Sequence, residues 1–352
     1  MQTPNSIFNK VLFVAPDDKY GGIGAVVRIY AKNMKGFKCI ATYPSVPLKS
    51  KMLFFLLSVV EVTKTLMLDK KIKILHLHSA SNGSFVRKSL IALLGKVFGK
   101  KVVIHMHGGS FNLFYERASF FKPVIRILLK SCDKLICLSP HWYDYYHNTL
   151  GVSEVITVPN PVELSNGNYR FSISPTLKLL FLGKICDDKG IFNLVDYLRT
   201  NKYFLDNRII LSIGGVGEDA RLLHEIALLS NIEFYGWADE TTKNQLLSEC
   251  DVFILPSRFE GLPVSILEAM AYQKPIIATD VGGISSIVTQ GYNGWLVNPS
   301  DLGMLDNVFD EIFNNRMLLR QYGLNSYNQA SKYSSDQVIH RLSNIYQSLL
   351  SD

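Results

Sequence analysis

Short apolar runs alternate with longer amphipathic segments along this chain, and the alternation occurs in two rounds. The apolar runs of the first round lie at residues 10–15, 73–78, 101–107, 134–139 and 154–160. Those of the second round lie at residues 177–184, 208–215, 232–237, 251–257 and 275–280. Runs of this length, separated by helix-length segments, predict β-strands that alternate with α-helices. The pattern therefore predicts an α/β protein with two mostly parallel sheets, each covered by helices on both faces.

A polar stretch rich in Ser, Asn and Pro separates the two rounds, and 352 residues is a usual length for two domains. We predict an N-terminal Rossmann-like domain at 1–164, a linker at 165–176 and a C-terminal Rossmann-like domain at 177–330. A final helical segment at 331–352 is expected to pack back on the first domain. Ligands of doubly wound sheets bind beyond the carboxyl ends of the strands, so we expect the two domains to face an interdomain cleft lined by loops that follow strands.

The net charge of +7 is unevenly distributed. Residues 1–165 hold 22 Lys and Arg against 9 Asp and Glu, a net charge of +13, whereas the remaining residues carry −6. A basic first half suggests an anionic partner such as a membrane leaflet or a phosphorylated acceptor. Lys122, Arg126 and Lys130 recur every four residues within an apolar segment, a pattern that suits a membrane surface better than nucleic acid. A basic helix face that is merely solvated remains the alternative.

No positively charged leader followed by an apolar segment opens the chain, and the apolar stretch at 52–60 is far shorter than the roughly 20 residues that a span needs. These observations predict a cytoplasmic protein, with peripheral attachment to the inner face of the plasma membrane as an option. The five cysteines are scattered and lack the short paired spacings of a zinc site, so we interpret them as reduced core residues.

Two glutamates stand at the start of a predicted helix in the second half. Glu260 closes the loop after the apolar run at 251–257, and Glu268 lies about a turn and a half into a helix predicted at 263–272. Pro263 suits the first turn of that helix because its missing N–H would have no helical partner there. Free N–H groups and the positive end of the helix dipole favour phosphate, while the carboxylates accept hydrogen bonds from sugar hydroxyls. Stabilisation of the helix dipole is the competing interpretation.

Two lysines lie on another loop between a strand and a helix. Lys184 and Lys189 can bind a diphosphate and stabilise the negative charge that develops when a nucleoside diphosphate leaves. No Asp-x-Asp motif that could hold a metal-bound diphosphate follows a strand of the first half, and the adjacent Asp187 and Asp188 are more typical of a helix start. We therefore predict a site that needs no metal or other cofactor. Solvated surface lysines are the alternative.

Together these residues resemble the nucleotide-binding domain of the family 4 (group 1) glycosyltransferases, retaining enzymes of the GT-B fold. The resemblance spans most of 177–300 and rests on motifs in a fixed order. In this chain they are GKICDDKG (183–190), GGVGED (214–219), FYGW (234–237), PSRFEGLPVSILEAMA (256–271), TDVGG (279–283) and NGWLV (293–297). Each motif is weak alone, whereas their joint occurrence in this order is highly specific.

The resemblance implies a donor site. Lys184 and Lys189 would hold the diphosphate, Glu260 would contact the donor sugar, and Glu268 would bind the ribose. Backbone groups of the four residues from Gly261 to Val264, which include Leu262 and Pro263, would contact sugar and phosphate. Many relatives carry arginine at the position of Lys184, and lysine lacks the bidentate fork of arginine.

In the first half the resemblance covers a glycine loop and a histidine. The loop at 20–24 includes Gly22, where the absence of a side chain lets the backbone approach donor phosphate and acceptor. His107 resembles the family histidine near the donor sugar, and we expect it in the catalytic site with Glu260 and Lys189. We expect His105 to point into the sheet instead, and His76 and His78 to be core histidines.

The resemblance implies transfer of a sugar, with retention of configuration and without metal, from a nucleoside-diphosphate sugar to a hydroxyl of a glycan or lipid-linked glycan. Cell-surface polysaccharide synthesis is the expected pathway. A nucleotide-sugar epimerase and a catalytically silent nucleotide-sugar-binding subunit remain alternatives. A nicotinamide dehydrogenase does not fit, because the complete glycine fingerprint with an acidic residue about 20 positions later is absent from the sequence.

Overall fold

A computed structural model of the chain describes residues 7–17, 21–44, 48–165, 174–217, 226 and 229–351. Most of the predicted linker, residues 166–173, lies outside the described residues. Contacts divide the chain into two compact units. The first unit combines Met1–Pro161 with Ser335–Asp352, and the second unit is Val162–Ser334.

The first unit contains a parallel sheet whose described strands follow the order β2-β1-β3-β4-β5-β6. The strands are β1 (Val11–Asp17), β2 (Cys39–Pro44), β3 (Ile74–Ser79), β4 (Lys101–Met106), β5 (Lys134–Cys137) and β6 (Val155–Thr157). The helices that connect them are α1 (Gly22–Asn33), α2 (Leu48–Leu68), α3 (Gly83–Val97), α4 (Phe111–Arg117), α5 (Lys122–Lys130) and α6 (Pro140–Asp144). Parallel strands need such crossover connections.

The second unit also contains a parallel sheet, and its described strands follow the order β12-β11-β10-β7-β8-β9. The strands are β7 (Leu177–Leu182), β8 (Ile209–Gly214), β9 (Ile232–Phe234), β10 (Val252–Leu255), β11 (Ile276–Thr279) and β12 (Gly294–Val297). The helices described in this unit are α7 (Ile191–Leu198), α8 (Lys202–Leu205), α9 (Glu240–Glu249), α10 (Val264–Ala271), α11 (Leu305–Asn314) and α12 (Met317–Ala330). The last helix of the chain, α13 (Ser335–Ser351), belongs to the first unit.

The two faces of the first sheet carry different side chains, because successive residues of a strand point to opposite faces. On β3, Leu75 and Leu77 belong to the apolar core that α2, α3 and α5 complete. His76, between them, faces the other side, where its ring lies 4.9 Å from that of Phe13. Its Nδ1 lies 2.8 Å from the Tyr346 hydroxyl of α13. Histidines therefore line the face of the sheet that carries α13.

Two parallel six-stranded sheets with interleaved helices confirm the predicted fold class. The alternation of apolar runs predicted ten of the strands that the structure describes but not β2 or β12. Both missed strands lie at an edge of their sheet, and β2 (CIATYP) mixes polar and apolar residues. An edge strand is flanked by a partner on one side only, so its sequence need not read as a continuous apolar run. Among the described residues, no helix combines the length and apolar character needed to cross a membrane.

Candidate active site

Three loops of the second unit meet at the carboxyl edge of its sheet. They follow β7, β10 and β11, which are neighbours in the order β11-β10-β7. The carboxyl ends of parallel strands lie at the same edge, so residues that are far apart in sequence come together there. Two of these loops carry the predicted lysines and Glu260.

Two glycines let these loops pack closely. Gly190 has φ +70°, and a Cβ on it would lie 1.9 Å from the carbonyl oxygen of Pro256. Gly282 has φ +57°, and a Cβ on it would lie 1.8 Å from the carbonyl oxygen of Glu260. Any other residue at either position would clash with backbone and adopt a disfavoured φ. Gly190 therefore lets the loop that carries Lys189 pack against the loop that carries Glu260, and Gly282 lets the loop after β11 pack against the same Glu260 loop.

Lys189 and Glu260 form an ion pair at the centre of this region. The Lys189 Nζ lies 2.5 Å from Glu260 Oε1, and the Ser257 hydroxyl donates to the same oxygen at 2.7 Å. The Glu260 side chain is 7% exposed and that of Lys189 is 27% exposed. Two residues predicted from different motifs are thus in direct contact. The Glu260 carboxylate is anchored in the protein, and the Lys189 side chain is the more exposed of the two.

The start of α10 adjoins this pair. Gly261, Leu262, Pro263 and Val264 are all buried. Pro263 was predicted within the first turn, but it occupies the N-cap position with extended backbone (φ −69°, ψ 120°), so that prediction was wrong by one residue. The helix begins at Val264 and ends at Ala271, close to the predicted 263–272. The free N–H groups of its first turn follow directly on the Glu260 loop, which is an arrangement that favours an anion.

A second ion pair lies further along the same helix. The Lys243 Nζ of α9 lies 2.5 Å from Glu268 Oε1, and the side chains are 27% and 20% exposed. Glu268 was predicted as a site residue from the sequence, whereas Lys243 was not. Lys243 lies within a polar helix and carries no local motif, so only the packing of α9 beside α10 reveals its role. Lys184 follows β7 and is exposed, and the structure does not place it in the Lys189–Glu260 pair.

The first unit carries the other predicted site residues, Gly22 and His107. Gly22 is exposed and opens α1 after the N-cap Gly21. Tyr20, the first residue of the predicted glycine loop, lies outside the described residues. A glycine at a helix start leaves room for a bound group near the free N–H groups.

His107 follows β4 and is half-buried. Its Nε2 lies 2.8 Å from His78 Nδ1, and the side chain of Asn160 lies beside its ring. Burial lowers the pKa of His107 to about 3, although the Asn160 side chain acts in the opposite direction. His107 is therefore a neutral hydrogen-bonding group at pH 7 and cannot serve as a cation for phosphate.

His105 was predicted to point into the sheet, away from His107. It is fully buried, but its ring lies on the same face as that of His107, with the two centroids 4.2 Å apart. Residues two positions apart along a strand share a face, so the intervening Met106 does not set the two histidines apart. His76 and His78 are fully buried, in agreement with the prediction of core histidines.

Two doubly wound parallel sheets define a protein of the GT-B fold class. Residues 172–329 match the family model of glycosyl transferases group 1, and residues 25–166 match that of glycosyltransferase family 4. The chain belongs to this family of glycosyltransferases.

Relatives include an uncharacterised glycosyltransferase of Methanocaldococcus jannaschii, 24% identical over 301 residues, which are 84% of this chain and 81% of that protein. Another is the UDP-Gal:alpha-D-GlcNAc-diphosphoundecaprenol alpha-1,3-galactosyltransferase of Escherichia coli. It is 24% identical over 285 residues, which are 72% of this chain and 69% of that enzyme. The similarity to both relatives extends over both units, beyond the motifs of the second unit alone.

Solved structures share the fold. Sucrose-phosphate synthase from Thermosynechococcus elongatus matches with a TM-score of 0.78 and 18% identity, covering 97% of this chain and 99% of that one. Anabaena HepE in complex with UDP-glucose matches with a TM-score of 0.75 and 17% identity, covering 96% and 99%. At these identities the likeness concerns the fold.

Proposed function

We propose that the second unit binds a nucleoside-diphosphate sugar and that the enzyme transfers the sugar to a hydroxyl of a glycan or lipid-linked glycan. The observation that carries this proposal is the Lys189–Glu260 pair, 2.5 Å between Nζ and Oε1, beside the start of α10. A diphosphate can take the place of Glu260 as the partner of Lys189. The released carboxylate oxygen then accepts a hydrogen bond from a hydroxyl of the donor sugar.

The proposed chemistry needs no metal. Lys189 and Lys184, together with the N–H groups at the start of α10, supply positive charge where the leaving diphosphate becomes negative. Glu268 would bind the ribose hydroxyls, while Lys243 holds its carboxylate in place. His107 remains neutral and would donate or accept a hydrogen bond near the sugar.

Retention of configuration is part of the proposal. In the mechanism we favour, the leaving phosphate removes the proton of the incoming hydroxyl on the same face of the sugar, through a loose, oxocarbenium-like transition state. Glu260 then acts as a positioning and electrostatic group and forms no covalent intermediate. Its anchoring by Ser257 fits a fixed carboxylate better than a mobile base.

Relatives support the donor and acceptor classes. The Escherichia coli relative is named for a UDP-galactose donor and an acceptor linked to diphosphoundecaprenol, and the Anabaena structure is named as a complex with UDP-glucose. We propose a UDP-sugar as the first donor to test, and a lipid-linked saccharide of a surface-polysaccharide pathway as the acceptor.

Thermal-shift binding in the presence of EDTA tests the donor site. UDP-, GDP- and ADP-sugars are compared on wild type, Lys189→Ala and, as a matched control, Lys202→Ala, an exposed lysine of the same unit. At 100 times Kd, bound ligand adds about 2.7 kcal/mol, which raises Tm by several degrees. We expect one base class to do so in wild type and Lys202→Ala but not in Lys189→Ala. No shift with any nucleotide sugar would contradict the proposal.

Product analysis distinguishes the remaining alternatives. With donor and acceptor present, the anomeric proton coupling in the NMR spectrum of the product should match that of the donor sugar. An inverted coupling would contradict retention. An isomerised nucleotide sugar formed without acceptor would identify an epimerase, and binding without turnover over a panel of lipid-linked acceptors would identify a silent subunit.

We further propose that the first unit attaches to an anionic leaflet, which would bring the enzyme to a lipid-linked acceptor. The helices α2, α3 and α5 contribute to the same face of the sheet, and all expose apolar side chains. Phe120 and Phe121, just before α5, are 94% and 70% exposed, and Ile127 is 66% exposed. Exposed apolar side chains of this extent mark interaction surfaces, and the net charge of +13 in this half favours anionic lipid.

Liposome flotation tests this attachment. We expect wild type to float with vesicles of phosphatidylglycerol and phosphatidylethanolamine, to float less with neutral vesicles, and to lose flotation in the double variant Phe120→Ser/Phe121→Ser. Leu205→Ser, an exposed apolar residue of the second unit, is the control and should float as wild type does. Protein that stays at the bottom at low salt would contradict the attachment.

A further inference from the structure

Three imidazoles from two neighbouring strands converge on one face of the first sheet. His76 and His78 lie on β3, and His105 on β4 is the direct neighbour of His78 in the strand register. All three residues are completely buried. One ring nitrogen from each lies within 4.8 Å of those from the other two.

Each of the three rings has at least one buried nitrogen that lacks a hydrogen-bond partner among the described residues. These nitrogens are His76 Nε2, His78 Nε2 and the ring nitrogens of His105. A buried polar nitrogen without a partner is costly, and three neighbouring imidazoles multiply that cost. An ion that accepts all three lone pairs removes it.

Two of the three rings, those of His76 and His78, are held in place by a partner on Nδ1. His76 Nδ1 lies 2.8 Å from the Tyr346 hydroxyl, and His78 Nδ1 lies 2.8 Å from His107 Nε2. The carbonyl of Val158 lies beside the His105 ring without the geometry of a full hydrogen bond. With Nδ1–H groups donating to Tyr346 and His107, both Nε2 atoms keep a lone pair that can bind an ion. Histidines that bind metals are oriented in this way by partners on their second nitrogen.

We propose that His76, His78 and His105 form a site for one late first-row divalent transition-metal ion, with Zn²⁺ as the first candidate. Neutral imidazole suits Zn²⁺, Co²⁺ and Ni²⁺, whereas Mg²⁺ and Ca²⁺ require oxygen ligands. Three histidines leave a fourth position open in a tetrahedral zinc site. The proposed ion lies within the first unit alone, so the proposal is independent of the metal-free donor site of the second unit.

The geometry predicts a tightening of the cluster on binding. Zn–N bonds of roughly 2.0–2.1 Å set tetrahedral nitrogens about 3.4 Å apart, which is closer than the 4.8 Å that bounds their separation here. Small rotations of the rings achieve this without moving the strands. The ion would then link β3 to β4 and, through Tyr346, to helix α13, so metal binding should stabilise the first unit against unfolding.

The experiment uses the full chain without an affinity tag, treated with EDTA and then dialysed free of it. Zn²⁺ is titrated by calorimetry, bound metal is measured by elemental analysis, and Co²⁺ is followed by its visible absorption. We expect one ion per chain, a Co²⁺ spectrum typical of tetrahedral nitrogen ligation, and a rise in Tm with Zn²⁺. No bound ion and no Co²⁺ band in folded wild type would overturn the proposal.

Variants locate the ion. His78→Phe and His105→Phe keep an aromatic ring in the core and should lose the ion, whereas the double variant His141→Ala/His340→Ala, at two exposed histidines, should keep it. Tyr346→Phe removes only the hydroxyl behind His76 and should weaken metal affinity about 10- to 100-fold. Loss of the ion in the surface variant, or its retention in folded His105→Phe, would overturn the proposal. If neither phenylalanine variant folds, an unchanged affinity in Tyr346→Phe overturns it.

Discussion

The polar side chains near the carboxyl edges of the two sheets differ in charge. In the second unit, lysines and glutamates face each other in two ion pairs, Lys189 with Glu260 and Lys243 with Glu268. In the first unit, neutral imidazoles touch, with His107 Nε2 lying 2.8 Å from His78 Nδ1. Charged pairs can exchange a partner for a charged ligand such as a diphosphate, whereas neutral rings offer an anion hydrogen bonds but no opposite charge. We therefore expect a diphosphate to bind the second unit, and His107 to contact uncharged groups.

The two ion pairs of the second unit also differ in burial, and therefore in the free energy that is lost when one partner is removed. The Glu260 side chain is 7% exposed, and that of Glu268 is 20% exposed. Removing one partner of a buried pair leaves a charge without compensation and costs about 3–5 kcal/mol, while exposed pairs contribute roughly 1 kcal/mol or less. Changes at Glu260 should therefore have the larger effect.

The largest expected effect is that of Glu260→Gln, which removes the negative charge of the more buried ion pair of the second unit. The neutral amide no longer pairs with Lys189, and the electrostatic contact with the donor sugar is lost. We expect kcat for sugar transfer to fall about 10²- to 10³-fold, as when one preorganised electrostatic group is removed from an active site. Steady-state kinetics with the donor identified by thermal shift measures this.

The control for this change is Glu240→Gln, at an exposed glutamate in the first turn of α9, which should transfer sugar as wild type does. If Glu260→Gln retained wild-type kcat while binding the donor, Glu260 would be a purely structural partner of Lys189.

Glu268→Gln should weaken donor binding without a comparable loss of kcat. Charge-assisted hydrogen bonds contribute about 1.5–3 kcal/mol, so we expect the donor Kd to rise roughly tenfold to a hundredfold. A matched sugar diphosphate that lacks the nucleoside should bind wild type and variant equally, because it makes no ribose contact. Equal weakening for both ligands would place Glu268 elsewhere in the site.

The strands could be predicted from the sequence more fully than the contacts within the site. Buried parallel strands are continuous apolar runs, so the interior strands of both sheets were predictable. Of the four edge strands, β6 and β9 were predicted as well, whereas β2 and β12 were not. Lys189 and Glu260 were predictable because each follows a strand within a recognisable motif. Their direct contact depends on β7 and β10 being neighbours, which the order of strands along the chain does not reveal.

Two other features required coordinates. Lys243 comes from a polar helix without a motif, and its partner Glu268 is 25 residues away. The close approach of the His105 and His107 rings was predictable from the sequence, since alternation along a strand places residues two apart on one face. The cluster with His76 and His78 required the register between β3 and β4.

The first unit contains a buried lysine, Lys88, whose hydrogen-bond partner is a hydroxyl, whereas Lys189 and Lys243 of the second unit pair with carboxylates. The burial of Lys88 should make the stability of the protein depend on pH. The Lys88 Nζ donates to the Thr42 hydroxyl at 2.5 Å, and Lys88 is 2% exposed. Burial lowers the pKa of Lys88 from 10.5 to about 7. Between these values the unfolded chain binds more protons than the folded protein, so the free energy of unfolding must rise with pH.

We expect that rise to be roughly 1–2 kcal/mol between pH 7 and 8.5, given about 1.4 kcal/mol per pH unit at most. Urea denaturation at both pH values measures it. Lys88→Met should abolish most of the rise, because methionine fills similar space without a proton to release, and Thr42 still donates to the Ala15 carbonyl. The window ends at 8.5 because buried thiols such as Cys250, whose pKa is raised to about 12, oppose the trend above it. An equal rise in Lys88→Met would exclude Lys88 as its source.

The smallest expected effect concerns Lys184, the predicted diphosphate ligand that is exposed and lies outside the two ion pairs. Exposed charges interact weakly, so Lys184→Ala should weaken donor binding by only about 1 kcal/mol, or roughly fivefold, and the effect should shrink at high salt. Lys184→Arg should restore binding or improve it, because the guanidinium group can hold two phosphate oxygens at once. Calorimetric titration of the donor at low and high ionic strength measures both variants. A loss of donor affinity as large as that in Lys189→Ala would mean that Lys184 enters the same desolvated site when the donor binds. The difference in exposure between the two lysines would then hold only for the free protein.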